Sequence, residues 1–228
     1  MSDFARSADM RPRSFLSIAA IFAACLAATA LATSTPESGW QAYTRGDYAQ
    51  ALAAYEAAAR RGDRLAQFNM AMMLLRGEGR AADIDGAIGW LTRSADAGMA
   101  QAQYQMGMLA ENGVGMPRSL TEATAWWQKA AEQGHIQAQV ELATQYFLGR
   151  GAPKDWKLAA KWYEAAAAGG DVGAQYIIGS FYEHGDGVAP DLKRAHHWYL
   201  LAAQQGDVGA AAQAKDVARR LAESGAAR

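Results

Sequence analysis

Trp90, Trp126, Trp162 and Trp198 lie 36 residues apart in sequence. The same interval separates Gly62, Gly98, Gly134, Gly170 and Gly206, and also the Ala-Gln pairs at 66–67, 102–103, 138–139 and 174–175. Gly77, Gly113, Gly149 and Gly185 keep it, as do Gly79, Gly115, Gly151 and Gly187. No insertion or deletion breaks the register. A repeat this short cannot bury an apolar face within one unit, so the units must stack on one another in a linear array.

Each unit has the pattern of two helices. The first opens at Asp47, Asp83, Ser119, Asp155 or Asp191, residues whose side-chain oxygens accept from free first-turn amides. It stops at the glycine of the 62, 98, 134, 170, 206 series. The second starts near Asp63, Met99, His135, Asp171 or Asp207 and ends at a G-x-G loop, such as "NGVG" at 112–115. The expected fold is all-α: an α/α superhelical solenoid, consistently curved, of about five 36-residue helix-turn-helix repeats.

The helical stripes assign the core. In one first helix, Ala87, Trp90, Leu91, Ser94, Ala95 and Gly98 share a face; in the next, Ala123, Trp126, Trp127, Ala130, Ala131 and Gly134 do. Trp90, Trp126, Trp162 and Trp198 are therefore expected in the core, with Gly98, Gly134, Gly170 and Gly206 as structural stops. In the second helix, Ala71, Gly107, Ala143 and Gly179 are always small, which predicts a tight helix crossing. The end units depart from the pattern. Ala54 replaces the tryptophan in the first, and the last helix, "AAQAKDVARRLAESGAAR", lacks the Ala-Gln pair and gains charge, as a capping helix requires. The expected division is a linker at 33–45, the solenoid at 46–217, and the capping-helix end and tail at 218–228.

Residues 1–32 form a separate object. Arg6, Arg11 and Arg13 precede "FLSIAAIFAACLAATALA", Phe15 to Ala32, which carries no charge. A positive segment followed by an apolar run and small residues is an export signal. Three routes fit it: cleavage after Ala32 at the A-x-A site, retention as an uncleaved membrane anchor, or lipidation at Cys25. All three place the remaining chain on the periplasmic side of the envelope. Cys25 is the only cysteine, so the repeats have neither disulfides nor cysteine-bound zinc. A formal net charge of −1, without a block of like charges, argues against nucleic acid as a partner.

"WWQKAAEQGHIQAQ" with the glycine-rich "GRGAPKD", together with "WLTRSADAGMAQAQYQMGMLAENGVG" and "WYEAAAAGGDVGAQYIIGSFYEHGDGV", resembles the Sel-one-like repeat, a relative of the tetratricopeptide repeat. The resemblance spans Gly46 to about Asp207. It implies an α/α superhelix that serves as adaptor or scaffold, and in bacteria an exported protein that regulates or assembles envelope systems. One exported subgroup carries a disulfide in each repeat and is linked to penicillin binding; the cysteine-free repeats match it poorly. Another restrains a membrane sensor kinase, and the signal-then-repeats layout suits it. A peptidoglycan-related enzyme or binding module is the more distant alternative.

Chemical sites are scarce. His196 and His197 are adjacent and diverge by about 100° on a helix, so they do not share a metal. His135 and His184 have no ligand at i, i+4. The G-x-G elements follow helices rather than strands, which excludes a phosphate loop. "GDGV" lacks the spaced acids of a calcium loop. No nucleophile, base and orienting acid occur in motif context, so no enzymatic activity, cofactor or metal is expected. The contact surface is expected where the units stop agreeing, on the face of the first helices turned away from the core stripe and lining the concave groove of the solenoid. Its candidates are Arg93, Gln128, Lys129, Lys161, Glu164 and His197, presented to a protein partner.

Overall fold

The computed structural model describes residues 35–226, which form eleven helices. They are α1 (Pro36–Thr44), α2 (Tyr48–Arg60), α3 (Arg64–Arg76), α4 (Ile84–Asp96), α5 (Ala100–Asn112), α6 (Leu120–Glu132), α7 (Ile136–Leu148), α8 (Trp156–Ala168), α9 (Val172–His184), α10 (Leu192–Gln204) and α11 (Val208–Ala226). Helices α2 to α11 make five antiparallel pairs. Each second helix packs against the first helix of its own pair and against that of the next, which closes the stack into a solenoid. Residues 1–32, where the export signal and Cys25 lipidation were expected, lie outside the described residues. Among the described residues, no helix is long and apolar enough to cross a membrane.

The first helices begin as their caps dictate. Asp47, Asp83 and Ser119 each accept from the amide three residues on, while Asp155 and Asp191 each accept from two amides. The second glycine of each G-x-G loop turns the chain back onto the first helix of the same pair. At Gly151, with φ +70°, a Cβ would collide with the carbonyl of Leu120 and the hydroxyl of Thr124, so backbone packs directly on backbone there.

Gln67, Gln103, Gln139 and Gln175 explain the Ala-Gln pairs. Each is buried, and its Nε2 donates to the carbonyl of Ala59, Ala95, Ala131 or Ala167 at 3.0–3.2 Å. The bond ties the second helix to the end of the first, eight residues back. In two places the tie extends to the following repeat. Gln133 donates to Gln103 Oε1 at 2.7 Å, and Gln205 donates to Gln175 Oε1 at 2.9 Å. The position corresponding to Gln133 in the preceding repeat is Ala97, and there Gln67 Oε1 is buried without a partner.

The core is filled from the position after each repeated tryptophan. Tyr55, Leu91, Trp127, Tyr163 and Tyr199 are at most 4% exposed. The Tyr55, Trp127 and Tyr199 rings each face a glycine on a neighbouring helix. A Cβ on Gly107 would collide with the Trp127 ring, and one on Gly179 would sit 2.9 Å from Tyr199. The tight crossing expected from the small residues is thus the seat of these large side chains.

The repeated tryptophans themselves sit differently from the expectation. Trp90 and Trp126 are half-buried, and only Trp162 and Trp198 fall to 9% exposure. They border the core rather than fill it, because the first helix turns its following residue straight toward the partner helix. The interval 33–45 also differs from a linker. Residues 36–44 form α1, capped by Thr35 and Ser38, with Gly39 pressed against the Tyr55 ring. Its exit copies the turn that ends the first helices: Asp47 N bonds Ala42 O, as Asp63 N bonds Ala58 O. At the other end, α11 runs unbroken across residue 217 and outlasts the other second helices, 19 residues against 13. Val217 is buried there, Arg220 pairs with Glu183, and Arg219 bonds Asp216 and Glu223 on the outer face.

Two stability changes follow. Trp127→Ala should cost about 3–5 kcal/mol in urea denaturation, the loss typical of a fully buried large side chain. Trp126→Ala should cost distinctly less, and equal losses would return the repeated tryptophan to the core. Ala97→Gln should supply the missing donor to Gln67 Oε1 and stabilise by about 0.5–1.5 kcal/mol. Gly169, the same position two repeats on, should not tolerate this change, since its Cβ would lie 2.8 Å from Ile136. A neutral or destabilising Ala97→Gln would argue against the extended tie.

Candidate partner-binding surface

The expected contact residues lie on one face of α4, α6, α8 and α10. Arg93, Gln128, Lys129, Lys161 and His197 are exposed, and Glu164 is half-buried. Most of them touch the repeated tryptophans. The Arg93 guanidinium lies 4.6 Å over the Trp90 ring, Lys129 Nζ 3.9 Å over Trp126, and Lys161 Nζ 4.7 Å over Trp162. His197 meets Trp198 edge-on at 5.3 Å. The Trp90, Trp126 and Trp162 indoles are thus covered by cations, a contact contributing about 0.5–1 kcal/mol at an exposed site. In α4 and α6 the cation stands three residues after the tryptophan; in α8 and α10 the basic residue stands one before it. The i, i+3 spacing of Trp90 with Arg93 and of Trp126 with Lys129 was a readable signal for this contact.

The remaining two candidates are held by neighbours. Gln128 donates to Glu132 at 3.0 Å. Glu164 accepts from the Tyr182 hydroxyl at 3.1 Å and pairs with Arg194 of the following first helix, whose guanidinium also covers the Tyr182 ring. Glu164 therefore joins two repeats as well as facing solvent.

Where α7, α8 and α9 meet, the surface is aromatic. Phe147, Trp156, Tyr163, Tyr176 and Phe181 line an open cleft of about 270 Å³ with Ser180 and Asp186 at its edge. Lys154 Nζ stands 4.7 Å over Trp156. Burial pushes the Tyr163 phenol up, partly countered by its hydrogen bond with Thr144. Glu141, on α7, is also pushed up, by burial and then by Glu111. A second cleft, of about 340 Å³, is lined by Trp40, Tyr43, Phe68, Met72, Arg76 and Glu78 among others. Sequence reading missed both clefts, since their side chains come from different repeats. Among the described residues, no group of three His, Cys, Asp or Glu side chains is placed to hold a metal ion.

His135 proves to be a joint. Its Nδ1 accepts from the Ala138 amide at 3.2 Å, which makes a neutral imidazole the N-cap of α7. Its Nε2 meets Gln101 Oε1 at 2.8 Å, and its ring stacks on Tyr104 at 4.7 Å. Both partners lie on α5, the second helix of the preceding pair. Burial lowers the pKa from its ordinary 6.5, so the folded state binds the proton less readily than the unfolded chain. The stabilisation is complete above that ordinary value and is lost as pH falls through the folded one.

The stacked helix pairs and their glycine and Ala-Gln signature define an α-solenoid of repeated helix pairs. The Sel1 repeat model matches residues 64–99, 100–135, 136–171 and 172–207. The chain belongs to the Sel1 repeat family. Each matched unit starts at a second helix, half a repeat out of phase with the helix pairs. A Sel1 repeat protein from Oxalobacter formigenes is 32% identical, with a TM-score of 0.75, over 80% of this chain and 75% of its own. A protective antigen of uropathogenic Escherichia coli displaying an SLR fold is also 32% identical, with a TM-score of 0.68, over 72% of this chain. The present chain spans 35% of that antigen's length. No curated protein sequence matches the chain. Sel1 repeats are interaction modules that bind protein partners and are generally non-catalytic.

The His135 cap predicts a pH response. Thermal stability should drop as pH is lowered from 6.5, and His135→Asp, which installs the residue capping α3 and α9, should flatten that drop. Melting curves across this range check it; an unchanged slope in the variant would assign the titration to another group.

Proposed function

We propose that the protein is a non-catalytic scaffold or adaptor on the periplasmic side of the bacterial envelope, holding a partner protein along the first-helix face. The observation that carries this reading is the division of labour among positions. Residues that agree from repeat to repeat are the caps, turns, glutamine ties and core rows, all used within the molecule. The positions of Arg93, Gln128, Lys129, Lys161, Glu164 and His197 change from repeat to repeat and face solvent or border it. A rigid frame with a variable exposed row is how solenoids display a contact surface. The family's general role in protein binding supports the same reading. The arginine-then-apolar segment ahead of the repeats supports export.

Photo-crosslinking residues placed singly at Gln128 and at Lys161 test the face in intact cells. They should trap the same partner, whereas crosslinkers at Leu65 and Gln137 on the second helices should not. Equal trapping from both faces would move the contact elsewhere. Mass spectrometry of the mature protein reads the export route. A start at Thr33 means cleavage, a lipid on Cys25 means lipoprotein, and an intact Phe15–Ala32 means an anchor; a cytoplasmic pool alone would refute export.

A further inference from the structure

The outer face of the first helices changes sign along the stack. α4 presents Asp85, Arg93 and Asp96, and α6 presents Glu122, Lys129 and Glu132. α8 presents Lys157, Lys161 and Glu164, and α10 presents Lys193 and Arg194 beside His196 and His197. Anions exceed cations on the first two helices and cations exceed anions on the last two. Lys157 and Lys193 stand where earlier repeats have Asp85 and Thr121. Lys161 and His197 stand where they have Gly89 and Ala125. Each of these two pairs on its own helix is spaced i, i+4, so its side chains share one face. The common register sets the pair on α8 beside the pair on α10.

This patch is not neutralised from within. Arg60, Arg76, Arg80, Arg194, Arg219 and Arg220 are all in ion pairs. No ion pair among the described residues involves Lys157, Lys161 or Lys193. The nearby carboxylates are occupied. Asp155 accepts from the amides of Lys157 and Leu158, and Asp191 accepts from those of Lys193 and Arg194. Glu164 is held by Arg194 and Tyr182. Like charges at i, i+4 destabilise a helix, so the frame gains nothing from Lys157 beside Lys161.

We propose that Lys157, Lys161, Lys193 and His197 form a docking patch for an acidic segment of a protein partner. This rests on the scaffold reading above and specifies its chemistry. The occupant follows from charge complementarity and its layout. Three lysine point charges and a histidine donor spread across two helices suit carboxylates spaced along a chain, whereas a single phosphate favours converging arginine forks. Leu200, 41% exposed on α10, offers an apolar contact beside the charges. The acidic half of the same face, on α4 and α6, repels an anionic bilayer or a duplex laid along it. It also sets direction, since an acidic segment is drawn to α8 and α10 and away from the other end.

The test uses the purified full chain and a fluorescently labelled peptide rich in Asp and Glu. Binding should be measurable at low salt and should weaken as salt rises. Lys157→Glu with Lys161→Glu and Lys193→Glu should lower affinity at least about tenfold. Arg118→Glu with Arg150→Glu, exposed in the loops after α5 and α7 and off the first-helix face, should change it less than about threefold. Circular dichroism melting checks that the variants fold. Should the triple variant not fold, the neutral pair Lys157→Gln and Lys193→Gln should still weaken binding about threefold. Failure of the wild type to bind the peptide, equal affinity in wild type and folded patch variants, or binding only to phosphatidylglycerol vesicles would each overturn the patch. Partner crosslinking from Gln128 that is undiminished in the triple variant would overturn the patch while leaving the scaffold reading standing; loss of face-specific crosslinking in the wild type would remove the scaffold reading itself.

Discussion

A buried glutamine amide sets the geometry on which the solenoid depends. In a helix pair the apolar contacts hold the two rods together but leave them free to slide and pivot. The bond from Gln67, Gln103, Gln139 or Gln175 to a carbonyl eight residues back removes that freedom at the closed end of the pair. It also gives a helix-terminal carbonyl a second donor, beside the glycine amide three residues on. Because the bond recurs at one position in four successive repeats, those pairs share one closure and the stack acquires a regular path. Where Gln133 and Gln205 prolong the tie, the angle between successive pairs is fixed as well.

The rest of the packing is arranged around large side chains facing small ones. Trp127 and Tyr199 are accommodated because Gly107 and Gly179 withhold a side chain opposite them. The Trp127 indole N–H is left without a partner among the described residues, so shape rather than polarity governs this contact. The repeated tryptophan one position earlier has a different task. It closes the edge of the core and offers its outer face to a cation. The same residue thereby links the frame to the surface that varies.

The period, caps, turns and small-residue crossings were legible because each is a local rule repeated in register. Repetition also exposed the Ala-Gln pair, but its purpose depends on a carbonyl in another helix and stayed hidden. The tryptophan row misled for a related reason. Trp126 and Trp127 lie on the same broad stripe, and only the tilt between helices decides which one points inward. Residues 36–44 lack the 36-residue signature, so the helix they form had no periodic marker. Pro36 after Thr35, with the Gly46-Asp47 step at its exit, was the signal available. The cations on the outer row were found by their variation, while their cover over the indoles follows from rotamers that spacing alone leaves open.

One feature of the core reaches beyond packing. The buried side chains fall into two clusters, one running from Ala42 to Leu109 and the other from Ala110 to Val217. They meet within α5, and the half-buried Met116 touches both. Trp127 against Gly107, Gln133 to Gln103 and His135 to Gln101 all bridge this boundary. The two halves are joined there by shape and hydrogen bonds rather than by a continuous apolar core, so a substitution at this joint is felt on both sides of it.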